Sequence, residues 1–146
     1  MFELGQYLPY LVNRAGVRLA VHFARDLKRH GIVLQEWRVL AALAAHGPQR
    51  LSDLAALTSI DLSTLSRLVG RMARVKLVER GRMNGDRREV QVKLTAKGSK
   101  TTRAIIPMAR RYERTALGGF SDDETRLLKL LLVRLYSNLD GLRNGG

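Results

Sequence analysis

The sequence predicts a mainly α-helical fold that carries one small β-hairpin. Leucine and alanine recur at helical spacing through most of the 146 residues, which predicts helices. The pattern changes to strict alternation only after Lys76, where a strand is expected. A turn-forming Asn84-Gly85 pair lies between the two halves of that region. The length favours a single domain with its own core.

Two helices are predicted in the first third of the chain. From Leu4 to Leu27 apolar residues recur every three or four positions, as in a long amphipathic helix. A second helix is predicted from Leu34 to Ala45. The sequence His46-Gly47-Pro48 ends it, because glycine accepts a left-handed conformation and proline cannot continue a helix.

A helix–turn–helix is predicted next. We expect Ser52 to cap a short third helix and Asp61 to cap a fourth, because their side chains can accept hydrogen bonds from first-turn amides. Four apolar residues are expected to bury one face of the fourth helix: Leu65, Leu68, Val69 and Met72. The other face carries hydroxyl and basic side chains: Ser63, Thr64, Ser66, Arg67 and Arg71.

A basic hairpin follows the helix–turn–helix at once. Apolar and polar residues alternate from Glu89 to Leu94, which predicts a half-buried strand. Pairing with Leu77–Arg80 across the Asn84-Gly85 turn would make a two-stranded hairpin. Such a hairpin is marginal alone and must pack on the helices. The predicted architecture is therefore a winged helix–turn–helix.

Two long helices are predicted in the last third. Thr95 is expected to cap a fifth helix running to about Leu117, interrupted and kinked at Pro107. Ser121 and Glu124 form a capping box that opens a sixth. The sixth helix is apolar around most of its circumference: Leu127, Leu128, Leu130, Leu131, Leu132, Val133, Leu135, Leu139 and Leu142. A small monomer cannot bury so much, which predicts an intertwined twofold dimer built from the first, fifth and sixth helices.

The positive charge is concentrated in one segment. The chain has a formal net charge of +13, and residues 67–103 hold 12 basic and three acidic side chains. Each cation placed on a phosphate releases a counterion, so this segment favours a nucleic-acid partner. The predicted fourth helix and hairpin are also the elements whose shapes suit DNA grooves. We therefore expect a protein that reads duplex DNA.

Several other function classes are disfavoured. The chain has no cysteine, which excludes disulfides and thiol chemistry. It carries no glycine-rich phosphate loop, no nucleophile elbow and no histidines at ligand spacing, so we expect no enzyme, cofactor or metal. The longest apolar run, Val39–Ala45, is too short to cross a bilayer, and no secretory leader is apparent. The expectation is a cytoplasmic protein without a membrane partner.

Five segments together resemble the MarR family of winged helix–turn–helix regulators: Leu51–Ala55, Asp61–Val69, Leu77–Arg80, Asp86–Arg88 and Val92–Gly98. The resemblance extends over nearly the whole chain. It implies a homodimeric transcription factor that binds an inverted-repeat operator in double-stranded DNA. It further implies repression in most cases, often relieved by a small aromatic or phenolic ligand.

The resemblance also implies roles for individual residues. The helix matching Leu62–Val75 would enter the major groove, and Arg88 would reach the minor groove, steadied by Asp86. Arg87 either shares that role or contacts phosphate. Hydroxyl and guanidinium groups of the helix can bind base edges or phosphates. The predicted DNA contacts are Ser63, Thr64, Ser66, Arg67, Arg71, Asp86, Arg87 and Arg88.

Two positions depart from the family pattern. Lys76 stands where glycine is common, so either this lysine is left-handed at a cost of about 1 kcal/mol or the helix ends differently. Gly70 lies inside the recognition helix and costs about 1 kcal/mol relative to alanine. That cost is tolerable if Gly70 lets a backbone or a neighbouring helix approach closely.

The expected organisation places dimerisation helices at 1–30 and 96–146 and the DNA-binding lobe at 31–95. The candidate ligand-binding residues are Tyr10, Arg14, His22 and Trp37. An arginine among aromatic rings suits an aromatic carboxylate, because guanidinium pairs with carboxylate and stacks on rings. The competing interpretation places Trp37 in the core and Arg14 in a structural ion pair.

Two alternative functions remain open from the residues alone. The same charge could drive non-specific binding by an architectural or RNA-binding protein, which would leave the helix–wing order unexplained. A ligand-binding dimer with vestigial DNA contacts is the other alternative. Sequence-independent affinity would favour the first, and the absence of any duplex binding would favour the second.

Overall fold

The computed structural model describes residues 1–82 and 90–144. Six α-helices and three short strands are found in these ranges, as expected for a mainly helical winged fold. The elements are α1 (Leu8–Leu27), α2 (Leu34–His46), β1 (Gln49–Arg50), α3 (Leu51–Thr58), α4 (Leu62–Arg74), β2 (Val78–Arg82), β3 (Val90–Leu94), α5 (Ala96–Ala116) and α6 (Asp122–Asp140). Single 3-10 turns occur at Leu4–Gln6, Lys28–His30 and Gly141–Asn144.

The chain divides into two compact units, Met1–Arg110 and Arg111–Gly146, with the boundary inside α5. The first unit contains a core to which five helices contribute. Its largest fully buried side chains are Leu27, Leu40, Leu54, Leu65, Leu68, Met72 and Ile105. The second unit holds the end of α5 and the whole of α6, where Lys129 pairs with Glu113 at 3.0 Å.

The sheet is antiparallel, with β3 between β1 and β2. The predicted hairpin is confirmed, with its first strand shifted to Val78–Arg82 and paired from Val78↔Leu94 to Arg82↔Val90. The expected Asn84-Gly85 turn lies outside the described residues. Strand β1 was not expected from the sequence, because two residues are too few to show an alternating pattern.

Three expected helix boundaries or interruptions are wrong. Helix α1 begins at Leu8 and not at Leu4, because Pro9 favours the first helical turn. Helix α3 begins at Leu51 with Arg50 at the N-cap position, so Ser52 lies inside the helix and does not cap it. Helix α5 continues through Pro107. That proline is exposed, so water can satisfy the carbonyl that its missing amide leaves free.

Lys76 ends α4 in the left-handed conformation, with φ 64°. The Leu77 amide donates to the Met72 carbonyl and the Lys76 amide donates to the Ala73 carbonyl, both at 3.0 Å. These two bonds are the Schellman arrangement, which usually requires glycine at this position. The first of the two alternatives for Lys76 is therefore the correct one.

The start of α5 holds the end of α4. The Thr95 hydroxyl caps α5 by accepting from the Gly98 amide at 2.9 Å, which confirms the predicted cap. The same hydroxyl donates to the Lys76 carbonyl, and Lys97 Nζ donates to the Val75 carbonyl at 2.8 Å. We call residues 75–77 and 95–98 the α4–α5 junction. It satisfies helix-end carbonyls that would otherwise have no partner.

Most of the large apolar side chains of α6 are exposed in the single chain. Leu131 is 44% exposed and Leu139 54% exposed. Their number exceeds what a soluble monomer usually leaves uncovered. In residues 1–82 and 90–144, no helix is both long enough and apolar enough to span a membrane.

Candidate nucleic-acid interface

The turn between α3 and α4 sets the position of the predicted recognition helix. Ser59 adopts a left-handed conformation, with φ 57°, directly after α3. Ile60 is buried and anchors the turn in the core. Asp61 then takes the N-cap position of α4. A short turn with a buried anchor holds the second helix at a fixed angle to the first.

Asp61 caps α4 as predicted. Its Oδ1 accepts from the Thr64 amide at 3.0 Å and from the Ser63 hydroxyl at 2.7 Å. Side-chain hydrogen bonds from Thr64 and Ser63, with a further one from the Thr64 amide, lower the pKa of Asp61 from 3.8 to about 2. The carboxylate is therefore ionised at neutral pH.

This cap predicts an acid-sensitive contribution to stability. The folded-state pKa of Asp61 lies below its ordinary value, so its contribution is present above pH 3.8 and is lost as the pH falls towards about 2. We expect the free energy of unfolding to fall more steeply over this range in the wild type than in Asp61→Asn, since asparagine caps without titrating. Urea unfolding at pH 5 and pH 2.5 measures the difference. Equal losses in both proteins would contradict the assignment.

Helix α4 has the two faces that the sequence predicts. Leu65, Leu68, Val69 and Met72 are buried. On the other side Ser63, Arg67 and Arg71 are exposed, while Thr64 and Ser66 are half-buried. Helical spacing places an outward row opposite the buried residues: Ser63, Arg67, Gly70 and Arg74.

Arg74 was not among the predicted contacts, although its position seven residues after Arg67 could have indicated it. Gly70 has open space where a side chain would begin, with nothing within 4 Å of a Cβ built there. The close approach suggested for Gly70 is therefore not found within the described part of the chain.

Strand β2 adds cations beside α4. The Arg80 guanidinium donates to the Ser66 carbonyl at 2.9 Å, which ties the wing to the recognition helix. Arg82 is exposed two residues further along the same side of the strand. Neither arginine was predicted as a contact, although both belong to the basic segment 67–103. The predicted wing residues Asp86, Arg87 and Arg88 lie outside the described residues.

The candidate ligand residues separate into two groups. Arg14 and His22 line a recess of about 400 Å³ on α1, together with Asn13, Val17, Arg18 and Val21. Tyr10 lies beside this recess, with its ring centroid 5.2 Å from the Arg14 guanidinium carbon. Sequence reasoning missed Arg18, which helical spacing places one turn after Arg14.

Trp37 belongs to the second group, because it packs edge-to-face on buried Phe23 at 5.8 Å between ring centroids. It is half-buried by this contact, on the side of the structure formed by α1 and α2. As for metals, the described ranges contain no group of three or more His, Asp or Glu side chains placed to hold an ion.

Comparisons with known proteins agree with this geometry. The model of the MarR family matches residues 30–89, a range that includes α2, α3, α4 and β2. A MarR family transcriptional regulator from Silicibacter pomeroyi has the same fold, with a TM-score of 0.84 and 26% identity over 93% of this chain and 91% of that one. This chain belongs to the MarR family. The family consists of DNA-binding transcriptional regulators and not of enzymes.

Relatives of this MarR regulator include a transcriptional repressor and a further transcriptional regulator. The transcriptional repressor NicR of Pseudomonas putida is 27% identical over 145 residues, which are 99% of this chain and 90% of NicR. The transcriptional regulator FarR of Neisseria gonorrhoeae is 31% identical over 129 residues, 86% of each chain.

Two solved structures of similar proteins involve aromatic acids. BpsR of Bordetella bronchiseptica, whose DNA binding is regulated by 6-hydroxynicotinic acid, has a TM-score of 0.79 and 25% identity to this MarR regulator, over 92% of this chain and 98% of BpsR. NadR was solved in complex with 4-hydroxyphenylacetate. It has a TM-score of 0.82 and 27% identity, over 92% of this chain and 96% of NadR. Both compounds are hydroxylated aromatic rings that carry a carboxylate.

Proposed function

We propose that this protein is a homodimeric repressor that binds an inverted-repeat operator and is released by a small hydroxylated aromatic acid. The observation that carries the DNA-binding part is the outward row of α4. Its exposed cations, Arg67 and Arg74, lie on one side of a helix whose other side is locked into the core. A rigid helix with an exposed basic face suits the major groove.

The exposed surface of α1 and α6 supports the dimer. Among the residues that the structure describes, those in 1–30 and 96–142 carry most of the exposed large apolar side chains, and those in 31–95 carry few. A twofold contact would cover many of these side chains, including the leucines on one side of α6, because each subunit contributes the same residues to it. Two recognition helices would then meet successive turns of one face of the duplex.

Operator selection tests the DNA-binding part. Purified protein is expected to enrich an inverted repeat from a random duplex pool, and Arg67→Ala is expected to weaken binding to the selected site by about tenfold to a hundredfold. Arg88→Ala should weaken it similarly if the wing enters the minor groove. Arg25→Ala, an exposed arginine at the end of α1, is the matched control and should bind normally.

One result would contradict sequence-specific DNA binding. Random duplex bound as tightly as the selected site at near-physiological salt would favour the non-specific alternative.

The recess on α1 supports the proposal that a small effector binds this protein. Arg14 and Arg18 present guanidinium groups, and the exposed Val17 and Val21 supply apolar surface beside them. This combination fits an aromatic ring that carries a carboxylate. One helix lines the recess in the described part of the chain, so enclosing a ligand requires a second surface, which the dimer would provide. The aromatic acids associated with BpsR and NadR make this ligand class the natural one to test.

Dissociation of the operator complex by a ligand tests the effector part of the proposal. We expect 6-hydroxynicotinic acid or 4-hydroxyphenylacetate to dissociate the operator complex, and Arg14→Gln to raise the required concentration at least tenfold, since a charge-assisted hydrogen bond is lost. A ligand acts only if it binds the DNA-competent and DNA-incompetent states with different affinities. Unchanged sensitivity in both Arg14→Gln and Arg18→Gln would place the effector elsewhere.

A further inference from the structure

Two neighbouring side chains at the beginning of α4, Leu62 and Ser63, are exposed. Leu62 is 52% exposed, whereas the other large apolar side chains of α4 are fully buried. Ser63 is exposed beside it on the outward row. An exposed leucine is ordinary on a protein surface. On the helix that faces DNA, and at the end of that helix from which base edges are contacted, it offers an apolar surface to the groove.

The hydroxyl of Ser63 already donates its proton to a neighbouring side chain. Its Oγ lies 2.7 Å from Asp61 Oδ1. The ionised carboxylate can only accept, so the single hydroxyl proton of Ser63 points to Asp61. What remains for an outside partner is the oxygen lone pairs. Ser63 therefore presents an acceptor and not a donor.

This end of α4 is also unsuited to phosphate. The Thr64 amide, which could otherwise face an anion, donates to Asp61 at 3.0 Å. The Asp61 carboxylate itself repels negative charge. Leu62 and Ser63 are therefore better placed to contact the bases of DNA than its phosphate backbone.

An apolar surface beside an acceptor matches one kind of base pair. In the major groove an A·T pair shows the thymine methyl group and the adenine N6 amino donor, whereas a G·C pair has an amino donor but no methyl group. We propose that Leu62 and Ser63 read an A·T pair in each half-site, Leu62 against the thymine methyl and Ser63 Oγ accepting from adenine N6. This inference rests on the proposed function, because it requires α4 in the major groove.

Base analogues in the selected operator test it. Each thymine of one half-site is replaced in turn by deoxyuridine, which removes only the methyl group. We expect one position at which wild-type affinity falls about fourfold, the effect of losing one buried methyl. At that position Leu62→Ala should bind the thymine and deoxyuridine operators equally. Replacing the paired adenine by 2-aminopurine, whose amino group lies in the minor groove, should cost about fivefold in the wild type and nothing in Ser63→Ala.

Leu57→Ala is the matched control, because Leu57 is a comparably exposed leucine (44%) at the end of α3. It should keep the full sensitivity to deoxyuridine. If no thymine position responds in the wild type while the operator is still preferred over random duplex, the inference is overturned and the proposed function stands. If Leu62→Ala keeps the wild-type response to deoxyuridine, the inference is overturned too. Loss of the preference for the operator itself would contradict the proposed function.

Discussion

Gly98→Ala is expected to lower the free energy of unfolding by about 3 kcal/mol or more, the upper range for overpacking a tightly packed site. A Cβ at position 98 would lie 2.0 Å from the Leu77 carbonyl oxygen and 3.0 Å from its carbon. Both are backbone atoms, so the strain cannot be relieved by turning a side chain. The Leu77 carbonyl also accepts from the Thr95 amide at 3.2 Å, and this bond would be displaced.

Gly98→Ala should also lower the affinity for DNA. Leu77 completes the Schellman arrangement that ends α4, so moving it disturbs the recognition helix. We expect operator affinity to fall in Gly98→Ala even at temperatures where the variant remains folded. Urea unfolding and operator titration measure the two effects.

Gly70→Ala provides the matched control, since the same change is made within a helix but nothing lies within 4 Å of the new Cβ. It should raise the free energy of unfolding by about 1 kcal/mol through helix propensity alone. If Gly98→Ala and Gly70→Ala changed the free energy of unfolding similarly, the close approach of position 98 to the Leu77 carbonyl would not limit stability.

Leu131→Glu is expected to separate the proposed dimer into monomers and to weaken operator binding a hundredfold or more. Leu131 belongs to the row on α6 in which leucines are most dense: Leu128, Leu131, Leu135 and Leu139. A carboxylate buried there without a partner would appear twice in a symmetric dimer, and each copy would cost several kcal/mol. A lone subunit keeps only one half-site contact.

Val133→Glu is the control for this variant. Val133 lies two residues away on the opposite side of α6 from the leucine row and is 65% exposed. The added charge is the same, and we expect the dimer to persist. Sedimentation of both variants at micromolar concentration shows the oligomeric state. A Leu131→Glu protein that still sediments as a dimer would place the subunit contact on another surface.

Local features of this fold were predictable because their hydrogen bonds span only a few residues. Asp61 caps α4 through residues two and three positions away, and Ser121 with Glu124 forms the capping box of α6. The buried face of α4 was predictable for a similar reason, since a helix repeats every 3.6 residues.

Features that join distant segments were not predictable. Strand β1 exists only because Gln49 lies opposite Val92, and the wing is tied to α4 by Arg80 donating to the Ser66 carbonyl. The sequence also gave no sign that Thr95 and Lys97 would satisfy the carbonyls of Lys76 and Val75. Such pairings depend on where the chain returns in space, and residue periodicity carries no information about that.

The candidate DNA interface divides in the same way. The order of residues alone determined which side chains of α4 face outward and how much positive charge the segment carries, because both follow from helical periodicity and composition. Only the tertiary structure showed that Leu62 is left uncovered, that Arg80 donates to the Ser66 carbonyl and that Lys76 is left-handed. The reason is that a side chain's free donors, free acceptors and exposed surface are what remains after its neighbours have made their own contacts.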